Sequence, residues 1–289
     1  MRIVTDTGTD TGLSAEESAE LGITTVPLVV TLDGKSYQEG IDIGPDEFYP
    51  LLAATDSLPT TSQPSAGDFA EVYREIAESD PDILSIHMTS GLSGTYDSAL
   101  AAAQLVPEAN VTHVDTKTLS AAAGWQVVAA ARAIKAGWPL RKVLELVAQI
   151  SAASDCMYTL KDLKYLIHGG RISHMKGLIA SLLNIKPLIG VEKVNGTYEQ
   201  LGQARAFNGA LSKLVSLMKK QHAEGGKLRV QVLYSYNPES AAMLREKIEP
   251  VFDCTWLPTG PLSLVLGAHT GPSMVGVAFA PLSTFDAVP

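Results

Sequence analysis

A chain of 289 residues with 46% apolar and 18% charged side chains is long enough for one large globular domain or two ordinary ones, and it excludes extended disorder. Its 31 acidic against 22 basic residues leave a net charge of −9, which disfavours nucleic acid and anionic membrane surfaces. The two cysteines, Cys156 and Cys254, form no C-x-x-C and read as reduced thiols of a cytoplasmic protein.

The N-terminus has no signal-peptide core, and no run of about 18 apolar residues exists, so no stable membrane insertion is expected. Arg2–Thr5 reads as a strand, followed by the polar loop Asp6–Asp10. Ser14 with Glu17 makes a capping-box pair that opens a helix to about Leu21. Ile23–Leu32 is rich in strand formers, and Asp33-Gly34 turns it back toward Lys35–Gln38. Pro45 starts a helix that Pro50 weakens. Thr55–Pro64 is a polar loop, and Ser65 with Asp68 caps the next helix, which carries Phe69, Val72, Tyr73 and Ile76 on one face. Ile83–Tyr96 runs from a buried strand through a Ser/Gly/Thr loop into a helix start. A strand at Val111–Val114, a helix Leu119–Lys135 and another from Pro139 to about Ile150 complete a strand–helix alternation that implies a mainly parallel sheet.

From about Ser154 the pattern changes. A strand Asp155–Thr159, a short helix Leu160–Ile167 and an apolar helix Lys176–Ile185 precede a strand Pro187–Val194. Asn195-Gly196 signals a type I′ hairpin leading to Thr197–Ala206. Helices at Gly209–His222 and Pro238–Ile248 alternate with strands at Leu228–Tyr236, Phe252–Leu257 and Val275–Ala280, and His269 falls in a turn between apolar strands. The expected architecture is α/β in two domains: residues 1–153 with a mainly parallel sheet and flanking helices, and 154–289 with a mixed sheet.

The stretch Ser90-Gly91-Leu92-Ser93-Gly94-Thr95 concentrates backbone N–H groups and hydroxyls at a strand-to-helix junction, a place that suits an anionic head group. Gly91 and Gly94 suit close approach to a ligand. Four such loops, Asp6–Asp10, Thr60–Ser65, Thr89–Thr95 and Asp115–Thr118, follow strands or open helices and suit convergence on one site. Arg171, after Gly169-Gly170, is either a cation favourable at a helix C-terminus or a guanidinium near an anion. His269 fits a structural or a functional role equally. There is no G-x-S-x-G elbow, no phosphate-binding lysine loop, and no histidine spacing suited to a metal, so no cofactor is expected.

Taken together, Val4-Thr5-Asp6, Thr60-Thr61-Ser62-Gln63-Pro64-Ser65, Ser90-Gly91-Leu92-Ser93-Gly94-Thr95-Tyr96, Val114-Asp115, Gly169-Gly170-Arg171-Ile172, Leu183-Asn184-Ile185-Lys186-Pro187 and His269-Thr270-Gly271-Pro272 resemble the DegV family of bacterial fatty-acid-binding proteins, in the family's order and over almost the whole chain. Ser273 and Thr7-Gly8-Thr9 depart from its usual pattern. The resemblance implies a carrier, with no catalysis of its own, that binds a long-chain fatty acid and presents it to a separate fatty acid kinase for acyl-phosphate formation in phospholipid synthesis. It implies that Thr61 and Ser93, with Ser62, Gly94 and His269, hold the carboxylate, and that Arg171 faces the kinase. The acyl tail then needs an apolar tunnel, for which Ile86, the Lys176–Ile185 face and the strands Pro187–Val194 and Val275–Ala280 are candidate lining, though the same residues fit ordinary core equally. Two other functions fit the residues alone: a serine acyl hydrolase or acyltransferase using Ser93, and a phosphosugar sensor built on the Ser/Thr/Gly loops.

Overall fold

The computed structural model describes residues 1–175 and 185–289. Four parallel strands form the first sheet in the order β2-β1-β6-β7: β1 is Arg2–Asp6, β2 Ile23–Val26, β6 Asp82–His87 and β7 Asn110–Asp115. Central β6 is buried on both faces after its first residue, which suits its apolar Ile83, Leu84 and Ile86 and also encloses Ser85 and His87. Beside this sheet lies a small antiparallel one, β4-β3-β5, from β3 Val29–Leu32, β4 Lys35–Gln38 and β5 Thr60–Ser62.

The second sheet is mixed and seven-stranded, and it contains β8 Asp155–Thr159, β9 Lys186–Val191, β10 Tyr198–Ala204, β11 Lys227–Tyr234, β12 Asp253–Trp256, β13 Gly260–Pro261 and β14 Val275–Pro281. Its order is β10-β9-β8-β14-β11-β12, with β13 also paired to β11; only the β11–β12 and β11–β13 pairs are parallel. The described helices are α1 Ala15–Glu20, α2 Pro45–Ala54, α3 Ala66–Ala77, α4 Thr95–Ala103, α5 Ser120–Lys135, α6 Leu140–Ala153, α7 Lys164–His168, α8 Phe207–Gln221, α9 Pro238–Ile248 and α10 Leu264–Thr270. None is long and apolar enough to cross a membrane.

Helix α5 joins the two sheets, packing on β1 of one and on β8 and β14 of the other. Its alanines permit that close fit, and at Gly124 a Cβ atom would stand 2.5 Å from the carbonyl oxygens of Thr9 and Asp10.

Several elements differ from the sequence expectation. Thr60–Ser62 is a strand rather than loop, because it pairs with β3 across the sequence. Helix α2 continues through Pro50. Helix α7 begins only at Lys164, where Asp162 accepts its backbone N–H at 2.9 Å. Asp33 and Gly34 both have positive φ, as a type I′ turn needs, but Asn195 does not. There the carboxylate of Glu192 accepts from the amides of Val194 and Asn195, both at 2.8 Å, and shapes a longer loop. The helix expected at Lys176–Ile185 lies outside the described residues, apart from its last residue.

Candidate functional site

The carboxyl ends of β1 and β6 are locked by a fully buried chain. Asp6 accepts from the backbone amides of Gly8 and Met88, each at 3.0 Å, and pairs with His87 Nδ1 at 2.9 Å. His87 Nε2 meets Ser85 Oγ at 2.6 Å, and Ser85 Oγ meets the Tyr73 hydroxyl at 2.7 Å. This Asp–His–Ser order imitates a catalytic triad, but all three are 0% exposed, so it fixes the strand ends and the loop after them.

That loop, residues 88–94, is held from three sides. Asp115 accepts from the Ser90 amide and hydroxyl. Thr89 donates its hydroxyl to the Gly196 carbonyl at 3.0 Å, which docks the β9–β10 connection on the loop. Arg171 Nε donates to the Leu92 carbonyl at 3.2 Å. On the side where a side chain would project, both loop glycines face other protein groups. A Cβ at Gly91 would lie 2.3 Å from the Asn195 carbonyl oxygen, and one at Gly94 would lie 2.3 Å from Gln63 Oε1. The side of Gly94 where a side chain would project is thus filled by Gln63.

Beside the loop is a cavity of about 280 Å³ lined by Thr61, Ser62, Gln63, Ser93, Arg171 and His269, with Leu28, Met88, Leu92, Val265 and Leu266 as its apolar walls. The structure therefore gathers Thr61, Ser62, Ser93, Arg171 and His269 at one place, although they come from β5, the β6–α4 loop, the segment after α7, and α10. Of the four polar loops, two reach this cavity. The Asp6–Asp10 loop lines a different one, and Asp115–Thr118 braces the β6–α4 loop from behind.

His269 stands in α10, not in a turn. The helix is fixed by long-range contacts that sequence spacing does not reveal. The Tyr49 hydroxyl donates to the Leu262 carbonyl at 2.8 Å, and Glu39 accepts from Ser263 Oγ at 3.1 Å and from the Leu264 amide. His269 Nε2 meets Thr61 Oγ1 at 2.8 Å, while Nδ1 is buried without a partner among the described residues. Burial, then the charges of Arg171 and His168, push its pKa down to about 4, so the imidazole is neutral at physiological pH. Ser93 Oγ pairs with Thr95 Oγ1 at 2.8 Å and has no histidine bond. The polar end thus offers hydroxyls, a neutral imidazole and one guanidinium.

Leu266 also lines a second, apolar space between α10 and the mixed sheet. Its walls include Leu119, Tyr158, Tyr198, Leu233 and Met274, with Gly276 and Val277 from β14. Only about 10 Å³ is open there, no more than about the space of one water molecule, so the slot is closed in this structure, with the flexible Met274 among its walls. Ile86 is fully buried in the core, and neither it nor any residue of β9 lines this slot. Tyr158, Tyr198 and Leu233 gave no sequence signal beyond ordinary core pattern.

A family model described as "Uncharacterised protein, DegV family" matches residues 1–282. A DegV domain-containing protein of Deinococcus radiodurans is 34% identical over 284 residues, 97% of this chain and 98% of the relative. Among solved structures, a DegV family protein from Thermus thermophilus, described as fatty acid binding, superposes with a TM-score of 0.84 at 32% identity, covering 98% of this chain and 100% of that one. DegV from Bacillus subtilis, described as a fatty acid binding protein, gives 0.84 at 27% identity over 96% and 98%. The matched span, the relatives and the shared α/β architecture agree: the chain belongs to the DegV family.

Proposed function

We propose that this protein is a cytoplasmic carrier that binds one long-chain fatty acid and presents its carboxylate to a separate kinase. Two lobes, residues 1–153 and 154–289, share the ligand: the first supplies most head-group donors, and the second supplies most of the walls around the tail. The observation that carries this reading is the single cavity uniting Thr61, Ser93, Arg171 and His269 and sharing Leu266 with the apolar slot. The two related structures described as fatty acid binding support it.

The carboxylate accepts from the Thr61 and Ser93 hydroxyls, with Ser62, the Gly94 amide and neutral His269 alongside, and Arg171 adds the balancing charge. Tail burial supplies most of the affinity at about 0.8 kcal/mol per CH₂, less the work of opening the slot. In the transfer step a carboxylate oxygen attacks the terminal phosphorus of ATP held by the kinase. A C(O)O–P bond forms, ADP leaves, and the acyl-phosphate stays on the carrier for phospholipid synthesis. A serine hydrolase reading is disfavoured because Ser93 pairs with Thr95 rather than with a histidine base.

Mass spectrometry of the organic extract of purified protein tests the binding step. A stoichiometric fatty acid, or saturable uptake of added oleate, is expected. An empty extract with no uptake of oleate or palmitate contradicts it.

A further inference from the structure

With the acyl chain taken to lie in the inter-lobe slot, as proposed above, one group of that slot is chemically out of place. Tyr158 on β8 is 2% exposed, and its hydroxyl is enclosed without a hydrogen-bond partner among the described residues. Gly276, its pairing partner on β14, makes room for it, since a Cβ there would come within 2.9 Å of Tyr158 Cβ. Tyr198 from β10 packs edge-on with ring centroids 5.6 Å apart. Burial, and then this neighbouring phenol, hold the Tyr158 hydroxyl well above its ordinary pKa, so it stays protonated. The Tyr198 hydroxyl is thus close enough to act on it, while no hydrogen bond of ordinary length and angle reaches the Tyr158 oxygen from the described residues.

Ser120 and Thr270 of the wall have partners, and Cys156 stays a neutral thiol. Ser120 donates to Asp10 at 2.8 Å, Thr270 donates to the Leu266 carbonyl at 2.9 Å, and burial pushes the Cys156 thiol up to about 12. An unmatched buried hydroxyl is destabilising, and a saturated chain leaves it unmatched. A hydroxyl on an otherwise apolar chain faces the same penalty in a dry slot. Brought together, the two cancel.

We propose that Tyr158 is a specificity-determining residue that makes the slot favour an acyl chain bearing a hydroxyl along its length over the unsubstituted chain. The chain oxygen bonds the Tyr158 hydroxyl, with Tyr198 beside it.

Equilibrium competition of stearate against 10-hydroxystearate and 12-hydroxystearate, in wild type and Tyr158→Phe, tests this. At least one hydroxy acid should bind wild type about five- to tenfold tighter than stearate, and the order should reverse in Tyr158→Phe while stearate is unaffected. The variant should also melt no lower than wild type, because it loses only an unmatched group. Both hydroxy acids binding more weakly than stearate to wild type, a preference that persists in Tyr158→Phe, or a lowered melting temperature overturns the proposal. Stearate binding without hydroxyl preference removes this inference alone, whereas failure of every acid to bind removes the carrier reading as well.

Discussion

The two ends of the proposed ligand site are built in opposite ways. The polar cavity has about 280 Å³ of space and is braced by hydrogen bonds from both halves of the chain, so it is formed in advance. The apolar slot has about 10 Å³ and walls of packed side chains, so it must be opened. Directional polar groups need fixed geometry, whereas side-chain repacking in an apolar space loses little beyond contacts that the incoming chain replaces. Rigidity is thus expected where recognition occurs, and adaptability where burial supplies the energy.

The largest test of this contrast removes the rigidity. Gly91→Ala drives a methyl group into the backbone at Asn195 and Gly196, which cannot retreat without moving the β9–β10 connection. It should cost about 2–4 kcal/mol in denaturant unfolding and uncouple the Ser93 loop. Gly94→Ala meets only the end of the Gln63 side chain and should cost under about 1 kcal/mol. Equal costs would show that the docked connection is not what holds the loop.

A somewhat smaller effect separates the two ends of α10. Burial raises the Glu39 pKa to about 7, and Asp10 is raised in the same direction. Folded Glu39 keeps a proton that the unfolded chain releases above about 4.5, so its contribution falls as pH rises from about 4.5 to 7. His269, pushed down to about 4, contributes oppositely: its stabilisation is lost as pH falls from about 6.5 to 4. Each window is worth roughly 3 kcal/mol at most. In urea titrations from pH 4.5 to 7.5, Glu39→Gln should turn the stability slope upward with pH, and His269→Gln should turn it downward. Identical slopes would contradict both assignments.

Legibility in the sequence divides along the same line. Ser14 with Glu17 and Ser65 with Asp68 form their capping boxes because each joins residues only three apart in the chain. Asp33-Gly34 forms its predicted turn for the same local reason. Asn195-Gly196 carries the same signal and fails, because Glu192 captures the nearby amides. The helix bearing His269 was unreadable because Tyr49 and Glu39, more than two hundred residues upstream, fix its start. The need for small residues at Gly91 and Gly94 was legible, but not that protein groups fill the space. The proposed head-group residues surfaced through motif resemblance, while the slot's Tyr158 and Tyr198 look like any core tyrosine.

Recognition of the acid by its neutral donors is the central claim, and affinity for palmitate against hexadecanol tests it most directly, measured by calorimetry on wild type and on the Thr61→Ala, Ser93→Ala double variant. Wild type should prefer the acid by at least about tenfold, and the double variant should lose most of that preference, keeping only the part that Arg171 supplies. Equal affinities in wild type, or an acid preference that survives the double substitution undiminished, would contradict the account.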